Sequence, residues 1–361
     1  GIPGHPDPNA YREYLLPGIF VQTIVFAAAT VAIGMCDDIN KGIIDRFRSL
    51  PMWSPAVLTG RLLADMGTNA VQLVIMFSVG IAVGMDKHPR GAFTDDPAKI
   101  ALPQWYAENG QFVTTKFFGM KANRYIHDHG ISEETLGRIA AKNFRNGSKN
   151  PLAFRRKPLS VEEIMASPVL TYPLRQYMFC QPDEGAGAIV LCRADRAHEY
   201  TSTPVYIRAS EIRQRRYGAY ESHSISSSVH EQVSPTVFAS EAAFESAGIG
   251  PGDVDVLQLQ DTEAGAELMH MAEAGFCEHG EQEKLLAEGA TEIDGPMPIN
   301  TDGGLIANGE PIGASGLRQV YELVVQLRGQ AGERQVPGNP KTGFAQVYGA
   351  PGLAAATIVS T

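Results

Sequence analysis

Cysteine is scarce in this 361-residue sequence, and the four present, Cys36, Cys180, Cys192 and Cys277, are scattered with no C-x-x-C pair. That pattern argues against a disulfide framework and against a zinc site, so no metal is expected, and it fits a reducing, cytoplasmic setting. Positive charge is also short. Thirty Lys and Arg against 40 Asp and Glu leave a net charge of −10, which disfavours nucleic acid as a partner because phosphate binding needs clustered Lys and Arg. Charge of either sign is missing altogether from Leu15 to Met35 and from Met66 to Met85. No basic leader or small-residue cleavage pattern accompanies the first run, so a signal peptide is not expected. With Gly1 as its first residue, the chain reads as a fragment or a trimmed product.

The two uncharged runs are long enough to cross a bilayer, which takes about 20 residues. Between them lie Lys41, Arg46, Arg48 and Arg61, and positive charge beside membrane ends marks the cytoplasmic side. The expectation is a two-helix apolar hairpin, with membrane association through residues 15–85. Gln22, Thr23, Thr30, Asn69 and Gln72 make the runs only moderately apolar, so packing as buried core helices is the alternative. Residues 1–85 hold 5 Lys/Arg and 6 Asp/Glu, leaving 25 and 34 for the remainder. Acidity therefore sits in the second part, and two compositions are joined.

Residues 86–361 carry the punctuation of an α/β enzyme. Ser160-Val-Glu-Glu163 is a capping-box pattern. Ser234-Pro235, with Val237, Phe238, Ala242 and Phe244 and a close at Gly248, predicts a capped helix with Pro at its first position. "GPGDVDVLQLQD" then predicts a strand with Val254, Val256 and Leu259 toward a core, and Glu263 to Gly275 a helix. Leu317, Val320, Tyr321, Val324 and Leu327 recur at helical spacing up to Gly329. "GFAQVYG" and "AAATIVS" read as closing strands, and the alternation implies a layered α/β fold.

Asn300 to Gly316, "NTDGGLIANGEPIGASG", crowds Gly303, Gly304, Gly309, Gly313 and Gly316 into a loop that runs into a helix. Glycines let backbone approach a ligand, and a helix N-terminus offers N–H groups to an anion. Gly303, Gly304, Gly313, Ser315 and Gly316 are therefore candidates for binding an oxyanion or phosphate of a substrate, against the alternative of a structural turn. A dinucleotide fingerprint does not fit the spacing. His127-Asp128-His129 looks ligand-like but is better read as a solvated helix end. Arg155-Arg156-Lys157 offers a basic run for phosphates or for solvent. Asn146-Gly147-Ser148 is a glycosylation sequon without meaning in the cytoplasm.

Residues 86–361 resemble the thiolases, in particular sterol-carrier-type thiolases and the actinobacterial lipid-transfer proteins related to them. The blocks that carry this are "DKHPRGAF", "NRYIHDHGISEETLGRIAAKN", "RNGSKNPLAFRRKPLSVEEIMAS", "FCQPDEGAGAIVLC", "VDVLQLQDTEAGAELMHMAEAGFC", "GGLIANGEPIGASG" and "GFAQVYGAPG". "YLLPGIFVQTIVFAAATVAIGMCDDINKGIIDRFRSLPMWSPAVLTGRLLAD" instead resembles permease subunits of daunorubicin-resistance-type ABC transporters. The resemblances imply a chimeric chain: a permease-like segment over 1–85, then a thiolase-like domain over 86–361, divided into 86–230 and a C-terminal half, 231–361. The implied fold is the layered αβαβα arrangement with an incomplete first half. In thiolase relatives a strand resembling "AVGMDKHPRG" occurs here, which places the join within Ser78 to Met85.

The thiolase resemblance implies a coenzyme A thioester as substrate, no bound cofactor, a homodimer, and a small OB-fold acyl-CoA-binding partner. Thiolases use a nucleophilic Cys, a second Cys and the His of a G-H-P-x-G-x-S-G loop. Here Glu310 stands for that His, Tyr348 for the second Cys, and Gln260-Asp261-Thr262-Glu263 for an Asn-Glu-Ala-Phe block. The nucleophile would precede residue 86. The candidate catalytic residues are accordingly Tyr348, Glu310, Asp261 and Gln260. They suit an acyltransferase in origin, and an acid/base retro-aldol cleavage of a β-hydroxyacyl-CoA in what remains. The alternatives are an export-permease fragment and a protein that binds acyl-CoA or lipid without turnover, with Glu310 capping the loop and Tyr348 packed in the core.

Overall fold

The computed structural model describes residues 79–87, 103–105, 115–216, 233–349 and 352–361. The chain divides into one compact unit of residues 1–80 with 190–193 and a second of 81–189 with 194–361. In chain order the described helices are α1 (Thr115–His129), α2 (Glu133–Ser148), α3 (Val161–Met165), α4 (Pro235–Ala247), α5 (Ala264–Glu273), α6 (Gln282–Ala287), α7 (Gly304–Asn308) and α8 (Ile312–Leu327). The strands are β1 (Val79–Lys87), β2 (Val169–Thr171), β3 (Leu174–Arg175), β4 (Glu184–Cys192), β5 (Tyr206–Gln214), β6 (Val256–Leu259), β7 (Thr342–Gly349) and β8 (Leu353–Ser360).

A four-stranded sheet in the order β5-β8-β7-β6 organises the C-terminal part. β7 and β8 form an antiparallel pair, Phe344 opposite Ile358, whereas β6 runs parallel to β7 with Leu259 beside Gln346. All four β6 residues are buried, as befits a strand covered on both faces. On one face Leu257, Leu259, Phe344 and Ile358 pack with Ala239 and Ala243 of α4. The Phe344 ring lies 5.3 Å from Phe244 and 5.1 Å from Phe276. On the other face Val256, Ala345 and Val359 meet Leu323 and Leu327 of α8. Period-two alternation along β7 thus feeds two cores. A third cluster, with Leu136, Ile139, Phe144, Leu174, Met178 and Leu268, joins α1, α2 and α5.

The helix boundaries follow from local chemistry. Ser160 accepts the Glu163 N–H at 3.1 Å while Glu163 Oε2 takes the Ser160 N–H at 2.8 Å, closing the expected capping box. α4 starts with Ser234 accepting from Thr236, has Pro235 in its first turn and ends at Gly248 with φ 69°. The α8 helix is present, but its buried face differs from the apolar stripe expected. Tyr321 is exposed, and Gln319, Glu322 and Gln326 are buried. Glu322 binds Arg334 and Gln326 donates to the Arg334 carbonyl at 2.8 Å, so satisfied polar groups replace part of the apolar seam.

The first 78 residues lie outside the described set, and with them the apolar hairpin apart from its end. At that end the two readings part: Val79–Lys87 is a strand, as the likeness of "AVGMDKHPRG" to a thiolase strand implies, and the helical reading of the apolar run fails there. β1 pairs with β4. A Cβ on Gly84 would stand 2.1 Å from the Gly313 carbonyl oxygen, so the strand lies directly on the start of α8. Ile81, Val83 and Met85 alternate on the exposed face, the period of two that a helical reading of this short apolar run misses. Among the described residues no helix is long and apolar enough to cross a membrane.

Ser160→Ala removes one half of the capping box. It should lower stability by about 1 kcal/mol, read as a shift in the urea midpoint with an unchanged slope.

Candidate active site

Parallel β6 and β7 end side by side, and the loops beyond their C-terminal ends carry the candidate residues. Gln260 follows β6 directly, and its N–H donates to Gln346 Oε1 of β7 at 3.2 Å. Its side-chain carbonyl accepts the Tyr348 N–H. Its amide donates to Glu310 Oε1 at 3.2 Å. Thr262, two residues on, donates its hydroxyl to the same oxygen at 3.3 Å. Glu310 is 4 % exposed. Gln260 therefore links the Glu310 carboxylate to the backbone of Tyr348.

Glu310 is delivered by a tight backbone turn. Gly309 has φ 85°, and a Cβ there would meet the Asp183 carboxylate at 2.6 Å. The Glu310 N–H then donates to the Gln181 carbonyl at 2.9 Å. Segment 179–182 runs between the two site loops, bridging Phe179 to Glu263 and Pro182 to Glu310. The Cys180 thiol on that segment donates to Glu310 Oε2 at 3.1 Å. Burial first, and then the Glu310 charge, hold this thiol well above the ordinary value. Cys180 is thus a donor rather than a ready thiolate.

Tyr348 is 8 % exposed, and its hydroxyl is buried without a hydrogen-bond partner. The Lys121 ammonium stands 4.7 Å from the ring centroid, and the His270 ring 5.8 Å. Glu263 is wholly buried; its Oε2 caps the Gly265 N–H, and its Oε1 has no partner. Desolvation raises its pKa from the ordinary 4.5 to about 8, against the Gly265 N–H and the Lys121 charge. Cys180, Lys121, Thr262 and Glu263 escaped the sequence reading as individual residues. Thr262 and Glu263 lay within the block already singled out, whereas no spacing rule pairs Cys180 with Glu310.

Asp261 is not directed at Glu310. Its carboxylate accepts the Leu305 and Ile306 N–H groups at 2.6 and 3.1 Å and the Asn143 amide at 2.9 Å, closing the start of α7. Burial and the Glu267 charge push its pKa well up. The glycines also serve internal packing. A Cβ on Gly303 would meet Gly147 at 2.7 Å, and on Gly304, at φ 60°, the Asp261 carboxylate at 2.1 Å. The Gly313 N–H donates to Asp86 Oδ2 at 3.2 Å, and Ser315 Oγ to the Pro311 carbonyl at 3.3 Å. Gly316 lies against Val347. The N–H groups expected to receive an anion are thus taken by the chain's own carboxylates, Asp261 and Asp86.

Other sequence candidates resolve more simply. Arg155 turns inward and donates to the Phe179 and Ile306 carbonyls at 2.8 and 3.1 Å and to Gln181 at 3.0 Å. It braces the loops instead of awaiting phosphate, while Arg156 and Lys157 are exposed. Asn146 is buried, its amide on the Asn300 carbonyl at 3.1 Å, which leaves no room for a glycan. His129 stacks on His279 at 5.1 Å. No group of three or more metal-ligating side chains is found among the described residues.

The Glu263 carboxyl generates a pH signature. Between its unfolded value of 4.5 and its folded value of about 8, the native state binds the extra proton, so stability falls as pH rises through this window. Thermal melts from about pH 5 to about pH 9 should show a smaller fall in Tm for Glu263→Gln than for the unaltered chain. Parallel curves would remove Glu263 as the titrating group.

A model described as thiolase C-terminal domain-like matches residues 218–361. The acetyl-CoA acetyltransferase of Methanothermobacter thermautotrophicus is 36% identical over 287 residues, covering 78% of this chain and 72% of that protein. Sterol carrier protein 2 of Oryctolagus cuniculus is 31% identical over 291 residues, 78% of this chain but 53% of that one. Among solved structures, the Ltp2-ChsH2(DUF35) aldolase superposes with a TM-score of 0.66 at 22% identity over 81% of this chain and 76% of its own. These relatives carry the thiolase part of the sequence reading and lend nothing to the permease part. The chain belongs to the thiolase superfamily.

Proposed function

We propose that the protein is a thiolase-like acyl-CoA enzyme whose Glu310 and Tyr348 cleave a β-hydroxyacyl thioester by retro-aldol chemistry. The observation that carries this reading is the Glu310 carboxylate, buried and bound on both oxygens by the neutral donors Gln260, Thr262 and Cys180. Glu310 takes the β-hydroxyl proton, the Cα–Cβ bond breaks, and the β-carbon becomes a carbonyl. The electron pair passes to the thioester enolate, which Tyr348 protonates at the α-carbon. The products are an aldehyde or ketone and a shortened acyl-CoA. The proton on Glu310 returns to Tyr348 through solvent after release.

Thiol chemistry is the competing class, since the acetyl-CoA acetyltransferase relative is named for acyl transfer. It needs a thiolate. Cys180 beside Glu310 is held protonated by burial and the neighbouring charges, and burial pushes Cys277 up to about 12. The thiol in the site is thus not a ready thiolate, which favours the acid/base route. The reading takes a CoA thioester as substrate, with no bound cofactor, and places the chain in lipid or sterol side-chain breakdown. It adds a homodimer and a small OB-fold acyl-CoA-binding partner; the aldolase relative likewise carries two components in its name.

Incubation with β-hydroxyacyl-CoA substrates should release a carbonyl product and a shortened acyl-CoA, followed by mass spectrometry. Glu310→Gln should lower kcat/KM roughly a hundredfold to ten-thousandfold, and Tyr348→Phe by roughly a hundredfold. Acyl transfer to a second thioester, abolished by thiol alkylation, would replace this reading with an acyltransferase.

A further inference from the structure

Around the Tyr348 ring lies a polar cluster of which the proposed chemistry uses only the tyrosine. His270 of α5 is 2 % exposed, and its Nδ1 meets Glu273 Oε2 at 2.9 Å. The two stand three residues apart, so one helical turn presents both on the same face. Burial alone would raise the Glu273 carboxyl. The His270 hydrogen bond and charge, the Lys121 ammonium and the Ser234 hydroxyl outweigh it and hold the group below its ordinary range. An ionised carboxylate only accepts, so the Nδ1 proton stays on this bond whether the imidazole is charged or neutral. Proton exchange is thereby left to Nε2.

The Tyr348 hydroxyl is buried and has no hydrogen-bond partner, which is uncommon for a buried polar group. Its ring centroid lies 5.8 Å from that of His270, with the planes tilted by 37°. An in-line hydrogen bond from such a hydroxyl to a ring nitrogen spans roughly 6.5 Å between centroids. The imidazole is therefore within reach, by a small ring rotation or through one water. The other charged and titratable groups at this pair are Lys121 of α1, 4.7 Å from the Tyr348 centroid, and Tyr125, which feels the Glu273 charge.

We propose that His270, oriented by Glu273, is a positioning residue that acts through Tyr348 and holds the proton that restores its hydroxyl after each turnover. Protonating the α-carbon leaves Tyr348 as a phenolate. The imidazolium gives its Nε2 proton to that oxygen, the O–H bond re-forms, and the Nδ1 proton stays on Glu273. The proton that Glu310 released to solvent then returns to Nε2, and nothing is oxidised or reduced.

The role in turnover rests on the reading of Tyr348 as the acid; the coupling of the two side chains does not. Heteronuclear NMR of the imidazole nitrogens, with His270 assigned by backbone correlation, should show titration at Nε2 alone. Glu273→Ala should let both nitrogens share the proton. The His270 midpoint should move in Tyr348→Phe, and the Tyr348 phenolate midpoint, read by ultraviolet difference, should move in His270→Gln, because such coupling is reciprocal. With β-hydroxyacyl-CoA, His270→Gln should lower kcat roughly tenfold to a hundredfold at nearly constant KM. The rate of the unaltered chain should fall as pH rises through the His270 midpoint, since the imidazolium is the donor. That limb should vanish in the variant, which a merely structural histidine would not bring about. In the Tyr348→Phe background the glutamine change should cost little.

A His270 midpoint indifferent to Tyr348→Phe overturns the proposal. So does a folded His270→Gln with unchanged kcat and pH profile, or an Nδ1 that titrates in the unaltered chain. Should His270→Gln not fold, the spectra of the unaltered chain and of Tyr348→Phe still decide. Coupled midpoints without cleavage of any β-hydroxyacyl-CoA would leave the pair standing and remove the retro-aldol reading. Tyr348-dependent cleavage with uncoupled midpoints would remove His270 alone.

Discussion

The closure of α7 by the Asp261 carboxylate is the contact on which the site depends. Two N–H groups at the start of a short helix and the Asn143 amide converge on one buried side chain. That joins the loop after β6 to the glycine-rich segment 300–316 and to α2. With Asp261 turned to α7, its neighbours Gln260 and Thr262 are left to face Glu310. The same contact explains Gly304: a side chain there would collide with the carboxylate that the helix start requires.

Around this contact lies an extended polar core. Lys142 is 1 % exposed, pairs with Glu267 and donates to the Ile299 carbonyl at 3.2 Å. Glu267 also receives the Asn143 and Asn300 amides, each at 2.8 Å, and Arg318 pairs with Asp302. A buried ion pair adds little net stability over apolar packing, but breaking one strands a charge in a poor solvent. Such a network ties the loops at the ends of β6 and β7 to one another, the kind of support that the proposed chemistry calls for. It also accounts for the polar face of α8, where Glu322 and Gln326 hold Thr301 and Arg334.

Much of the fold was legible because its signals are local. The Ser160 box, the Ser234-Pro235 start with its Gly248 stop, and the closing strands each declare themselves within a few residues, where capping and alternation act. The end of the run from Met66 to Met85 was open to both readings, helix end and strand, because a short apolar stretch has no charge to reveal its period. Its strand character depends on β4 beside it and α8 beneath it. Arg155 was expected in a solvated basic run. Three acceptors from distant segments turn it inward, and no local pattern records them.

By itself the sequence determined the layered α/β plan and the family, and it singled out Gln260 and Glu310, whose side chains meet beyond the sheet's end. Its glycines marked the crowded loop correctly, but not what crowds it. Only the tertiary structure decided that Asp261 and Asp86 occupy the helix starts, and that the Cys180 thiol reaches Glu310 Oε2. The physical reason is separation. Propensity and capping act over a few residues, whereas a hydrogen bond between Cys180 and Glu310 exists only once β6, β7 and the segment between the site loops have packed.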